Sequence, residues 1–257
     1  MKKLNWSLLI IILVFLFLLG PLLILFFSSF GETLTFPPRN LTIAWYPKVI
    51  GMRFFREAFK TSLILGFGST LAALFLGIPA AYALTRFSFI GKSVIENVFT
   101  SPLIVPALVI GFSLLRFFVQ FGNFPILLGL FLGHTVLLFP YTVRVTSASL
   151  KNFDFQIEEA AISLGAPPLK SFFYMVLPNI RVGVLSAFIL SFATSFNNVP
   201  VSLMLTGPGM VMLPIQMLTY MEYYYDPSIA ALSVLIMIFI VLITQITERL
   251  LGLSKYL

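Results

Sequence analysis

Apolar residues fall into six long runs, near Ser7–Phe27, Thr61–Leu84, Phe99–Val119, Phe124–Val145, Val184–Leu205 and Ser228–Thr247. Each run is long enough to cross the roughly 30 Å hydrocarbon core, which takes about 20 helical residues. The pattern predicts an all-α, polytopic membrane protein with six transmembrane helices. Three connections are long: Gly31–Phe59 after the first run, Asp154–Gly183 between the fourth and fifth, and Thr206–Pro227, expected as an outer loop, between the fifth and sixth. No internal repeat or low-complexity linker is visible. A single membrane domain over 1–257 is expected, with its core at about 61–250 and a long polar loop at about 151–182.

Composition agrees with lipid as the main solvent. The 257 residues are 59% hydrophobic and 10% charged, against about 25% charged in soluble domains. Cysteine is absent, which excludes disulfides, thiolate nucleophiles and cysteine metal sites. The net charge of +7 does not form one patch. The bases flank the spans, so a nucleic-acid partner is not expected and membrane lipid is. Lys2 and Lys3 before an apolar run resemble a signal peptide. The run is too long for that and lacks a small-residue cleavage site, so an uncleaved first span is expected.

Lysine and arginine placement sets the expected orientation. With the amino end inside, Lys2, Lys3, Arg86, Lys92, Arg144, Lys151, Lys170, Arg181, Arg249 and Lys255 lie on the inner side. Arg39, Lys48, Arg53, Arg56 and Lys60 lie outside, all in one loop. The majority places both termini and the Asp154–Gly183 loop in the cytoplasm.

The second run is rich in small residues, including Gly66, Gly68, Ser69, Ala72, Ala73, Gly77, Ala80 and Ala81. Such residues let helices approach closely in lipid. Pro79, Pro102, Pro106, Pro140 and Pro200 are expected to interrupt their spans. Before the second run, Ile50, Phe54, Phe55, Ala58 and Phe59 share one helical face, opposite Arg53, Arg56 and Lys60. Two readings fit: a short helix lying in the interface, or the start of the second span.

Polar residues within the runs are few. His134, the sole histidine, reads as an interhelical hydrogen-bonder, because a relay or metal site would need further carboxylates or histidines. Arg116 lies about a turn from its span's end and can snorkel to the headgroups. The fifth run carries Ser191, Thr194, Ser195, Asn197, Asn198 and Ser202 around Pro200. Adjacent asparagines face different sides of a helix, and buried amides need partners. Either these residues join helices, or a half-unwound helix lines a polar translocation path through Ser195, Asn197, Asn198 and Ser202.

The long loop carries a specific motif. Glu158 and Glu159 precede Ala160 and Ala161. Gly165 follows, and Leu177-Pro178 closes the segment after Met175. This spacing resembles the "EAA" signature of permease subunits of binding-protein-dependent, type I ABC importers, which commonly have isoleucine at the Met175 position. Further similarity joins Ala81-Tyr82-Ala83-Leu84, Arg86-Phe87 and Gly91-Lys92 to Asn197-Asn198, Leu205-Thr206-Gly207-Pro208-Gly209, Leu213-Pro214 and Asp226-Pro227. Nearly the whole chain is similar to the second permease subunit of spermidine/putrescine-type importers. Many members carry acid pairs where this chain has Asn197-Asn198, which removes natural partners for amines.

The resemblance implies the type I permease fold in a bacterial or archaeal plasma membrane. It implies a second permease subunit, an ABC ATPase dimer docked on the Glu158–Pro178 loop, and an extracytoplasmic solute-binding protein. The cargo would be a small solute, polyamine-like by resemblance. The chain carries no G-x-x-x-x-G-K-[ST] loop, so ATP hydrolysis belongs to another chain. No enzymatic activity, cofactor or metal is expected. The alternative classes are an ion-coupled secondary transporter or a channel subunit. The former would usually show repeats and intramembrane carboxylates; neither is present.

Overall fold

The structure, a computed structural model, describes residues 6–122 and 124–250. Lys2, Lys3 and Lys255, which contribute to the expected orientation, lie outside them. The described residues are almost entirely helical and contain no strand beyond two isolated bridges. They divide into two compact units, one of residues up to Glu57 with Gln216–Ile243, the other of Ala58–Ile215 with the residues from Thr244 on.

In the smaller unit, α1 (Trp6–Ser28) is strongly apolar, and none of Ile10–Phe27 is buried. A helix with no polar face suits lipid on all sides. Helix α2 (Trp45–Gly51) ends at Met52, whose extended backbone separates it from α3 (Arg53–Arg86). Of the two readings for this region, the start of the second span is the one observed from Arg53 onward. The Phe55 and Tyr220 rings meet at a tilt of 53°, 5.3 Å apart. Asp226 accepts from the backbone N–H of Ser228 at 3.0 Å, from Tyr220 Oη at 3.0 Å and from Lys48 Nζ at 3.1 Å. This capping starts α13 (Ser228–Leu250).

The larger unit is built on α3 and α6 (Ile126–Lys151). At 1.5 Å per residue α3 runs for about 50 Å, so its ends pass beyond the hydrocarbon. Its small residues bring α6 close. Ser69 Oγ donates to the Phe131 carbonyl at 3.2 Å, and Thr142 Oγ1 donates to the Ala73 carbonyl at 3.0 Å. A Cβ at Gly77 would collide with Thr142, so only glycine permits this crossing. Leu65, Leu130, Leu137, Val201 and Leu205 form one buried cluster; Ala81, Leu84, Val143, Leu150, Val176 and Ile180 form another.

Four described helices are long and apolar enough to span a membrane, and the number rises to as many as six if each of two bent pairs is one span. The first bent pair bears out the interruption expected at Pro102 and Pro106. In this pair, α4 (Lys92–Thr100) is followed by a tight turn at Ser101–Leu103, then α5 (Ala107–Val119) at 98° to it. Pro102 and Pro106 lack the donors that would continue one helix. Pro79 and Pro140, expected to interrupt their spans, instead lie within continuous helices. Arg116 is exposed on the last turn of α5.

Candidate functional sites: the Asp154–Gly183 loop and the broken fifth span

The loop opens with α7 (Gln156–Ser163). Asp154 Oδ1 accepts the Gln156 N–H at 2.9 Å. Glu158 and Glu159 lie in the first turn, where negative charge suits the helix dipole. Gly165 ends the helix at φ +93. Its N–H reaches the Ile162 carbonyl at 2.9 Å, and that of Ala166 reaches the Ala161 carbonyl at 3.0 Å. This paired closure requires a left-handed residue, which glycine supplies at least strain.

The return arm comprises α8 (Pro168–Ser171), a wide π-turn at Phe172–Val176, and α9 (Leu177–Asn179). Pro178 cannot donate to the preceding turn, and Asn179 Nδ2 donates to the Met175 carbonyl at 2.6 Å. The chain then bends by 73° into α10 (Arg181–Phe196). Val176 and Ile180 are buried against Leu84, Val143 and Leu150, so the return arm is anchored on the bases of α3 and α6.

The two glutamates face the foot of α3. Glu158 is 1% exposed, receives the Tyr82 hydroxyl at 2.8 Å, and places Oε2 3.5 Å from Arg86 Nε. That separation is an ion pair without a hydrogen bond, and Oε2 has no hydrogen-bond partner. Arg86 Nη2 reaches Glu159 Oε1 at 2.6 Å. The guanidinium also lies 5.1 Å from the Phe155 ring centre. Tyr82 meets Phe172 edge-on at 5.0 Å, and Ser171 Oγ donates to the Glu158 carbonyl at 3.3 Å. Both arms of the loop therefore close around Tyr82 and Arg86.

Apolar side chains of the loop are also exposed. Leu164 is 90% exposed, Leu169 71% and Tyr174 67%, with Ile162 and Phe173 also uncovered. Ala160, Gly165 and Pro178 are exposed; Ala161 and Leu177 are half-buried. Sequence reasoning named Glu158 and Glu159 but missed the roles of Tyr82 and Arg86. The available signal was a tyrosine and an arginine one turn apart at the end of an apolar run.

The fifth span breaks after Phe196 and resumes as α11 (Pro200–Leu205). The interruption expected at Pro200 is observed, and the Val184–Leu205 run is two helical pieces. Asn198 Oδ1 accepts the Val201 N–H at 2.9 Å and caps the second piece, with Pro200 at its first position. His134 braces the break. Its Nδ1 lies 2.8 Å from Ser195 Oγ on one side, and its Nε2 lies 3.1 Å from Ser202 Oγ on the other. Ser202 Oγ donates to the Asn198 carbonyl at 2.7 Å, with Met212 Sδ 3.0 Å away. Its oxygen thus accepts from Nε2–H, and Ser195 donates to Nδ1. Ser195, Asn198 and Ser202 are buried in this network, while Asn197 is exposed.

The "binding-protein-dependent transport system inner membrane component" profile matches residues 73–253. The putrescine transport system permease protein PotI of Escherichia coli K12 is 32% identical over 240 residues, covering 90% of this chain and 85% of PotI. The spermidine/putrescine transport system permease protein PotC of the same strain is 27% identical, covering 94% and 92%. A chain of a bacterial ABC transporter importing the acidic polysaccharide alginate superposes with a TM-score of 0.72 at 14% identity, covering 95% and 94%. The chain belongs to the family of inner-membrane permease components of binding-protein-dependent transport systems.

Proposed function

We propose that this chain is one of two permease subunits of an ATP-driven ABC importer, and that the Asp154–Gly183 loop is where the ATPase docks. The observation carrying this reading is the row Leu164, Leu169 and Tyr174, exposed on a loop bounded by two spans. A patch of that kind marks an interaction surface. Glu158, Glu159 and Arg86 hold the loop from behind, and the apolar row makes the contact. Charge placement puts the loop, and the amino and carboxyl ends, in the cytoplasm. A solute-binding protein delivers cargo from the other side.

ATP binding in the partner subunits draws the docked loops together and opens the path outward; hydrolysis reverses this. The path runs between the two permeases, with Asn197 at the break of the fifth span facing it. An amide exposed in mid-span is costly against lipid, which favours a polar passage. Similarity to PotI and PotC supports a polyamine-like cargo, held here through neutral amides, since the acid pair is absent.

The test is uptake and ATPase retention in a reconstituted complex. Leu164→Glu places a charge in the docking face and should reduce retained ATPase at least about tenfold, as a lost interface anchor does. Gly165→Val strains the left-handed turn and should weaken docking less. Full uptake and retention in both variants contradicts the assignment.

A further inference from the structure

The chain joins the loop directly to α6 and α10 only. Its side chains reach a third helix. Tyr82 and Arg86, on the last turns of α3, hold Glu158 and Glu159, more than seventy residues away along the chain. We propose that Arg86 is a positioning residue that makes α3 travel with the loop, so that ATPase-driven displacement of the loop is delivered to α3 as well as to its covalent neighbours. This inference rests on the docking reading above.

Three observations carry it. First, Arg86 engages two carboxylates at once, through Nε toward Glu158 and Nη2 toward Glu159. A guanidinium fork can do this; a lysine ammonium presents one point charge. Second, Glu158 is fully enclosed. A buried carboxylate deprived of its cation is strongly unfavourable, so the loop cannot leave α3 without exposing or protonating that group. Third, the two arms of the loop are tied to each other and to α3. Phe155 on its first arm lies beneath Arg86, Phe172 on its second lies against Tyr82, and Ser171 ties the arms at the Glu158 carbonyl.

Helix α3 then leads to the broken fifth span. Gly66 lies beside Phe192 and Ser195 of α10, and Ser62 Oγ accepts the Leu213 N–H at 2.8 Å. From Arg86 to Gly66 is twenty residues, roughly 30 Å of helix. Glu158 and Glu159 therefore fasten the loop to α3, and α3 is the rod they move.

The experiment uses the full complex in proteoliposomes, with this chain, its partner permease, the ATPase and the binding protein. It reads cargo imported per ATP hydrolysed, together with ATPase retained on purification. Arg86→Lys keeps the charge and loses the fork. It should lower cargo per ATP at least about fivefold, the lower range of ordinary coupling energies, with ATPase retention within about twofold. Arg86→Ala alone leaves Glu158 unpaired and can fail to assemble. Adding Glu158→Gln removes that charge, so the double variant should assemble yet stay uncoupled. The proposal is overturned if Arg86→Lys and the double variant couple normally. It is equally overturned if cargo per ATP falls only in step with lost ATPase. Leu164→Glu separates the two readings: full ATPase retention and uptake in that variant removes the docking reading, and this inference with it, whatever Arg86→Lys does.

Discussion

At the foot of α3 the chain assembles a guanidinium, a phenol and two carboxylates. At the broken fifth span it uses an imidazole, two serines and an asparagine, with no formal charge in the proton arrangement their bonds define. Both regions fix a chain that departs from regular helix. The difference lies in what surrounds them. Arg86 and Glu159 sit at a helix end, part-exposed, where water can solvate ions. His134 and its serines are wholly buried within the spans, where an ion would be expensive. Neutral hydrogen bonds give rigidity there without a charge to solvate. Ionic contacts at the loop carry longer reach and can couple separate helices.

A substitution series at the break tests the neutral side of this comparison. His134→Leu takes one bond from Ser202, which keeps the Asn198 carbonyl, and leaves the buried Ser195 hydroxyl without its partner, a cost of about 1–3 kcal/mol. It should give the largest drop in thermal stability of the purified protein. Asn198→Leu removes the cap on Val201 and should cost about 1 kcal/mol. Asn197→Leu should leave stability near wild type and alter uptake instead. Equal stabilities for the His134 and Asn197 variants would dissolve the distinction between brace and path.

The sequence makes the six crossings visible because lipid demands long apolar runs. It also marks Gly165 as a helix end, since few residues accept a positive φ. His134 as a hydrogen-bonder follows from its isolation in an apolar run. Hidden are the pairings across helices. Arg86 and Glu159 are separated by two whole spans, and no local pattern shows that their helices meet. The prolines mislead in part. Pro79 and Pro140 sit within unbroken helices. Pro102 and Pro106, close together, do end a helix. The helix α12 (Leu213–Tyr223) lies in what reads as an outer loop, too short and mixed to stand out as a span.

The smallest effect concerns pH and belongs to the ionic side. Burial alone would raise the Asp226 pKa. Hydrogen bonds from Ser228, Lys48 and Tyr220 outweigh it and hold the carboxyl below its ordinary value. A lowered folded pKa means stability that is present above the unfolded value and lost as pH falls through the folded one. Thermal stability should therefore decline modestly below about pH 4, the ordinary aspartate range, and Asp226→Asn should flatten that decline. A decline unaltered by Asp226→Asn would assign it to other carboxyls.

The central claim is that the apolar face of the Asp154–Gly183 loop lies inside the cell against an ATPase. The chain has no cysteine, so Leu164→Cys gives one thiol on that face. Labelling with a membrane-impermeant thiol reagent tests it directly. The account predicts no labelling in right-side-out vesicles, strong labelling in inside-out vesicles stripped of ATPase, and protection when the ATPase is restored. Labelling from outside, or labelling from inside that the ATPase leaves unchanged, would contradict it.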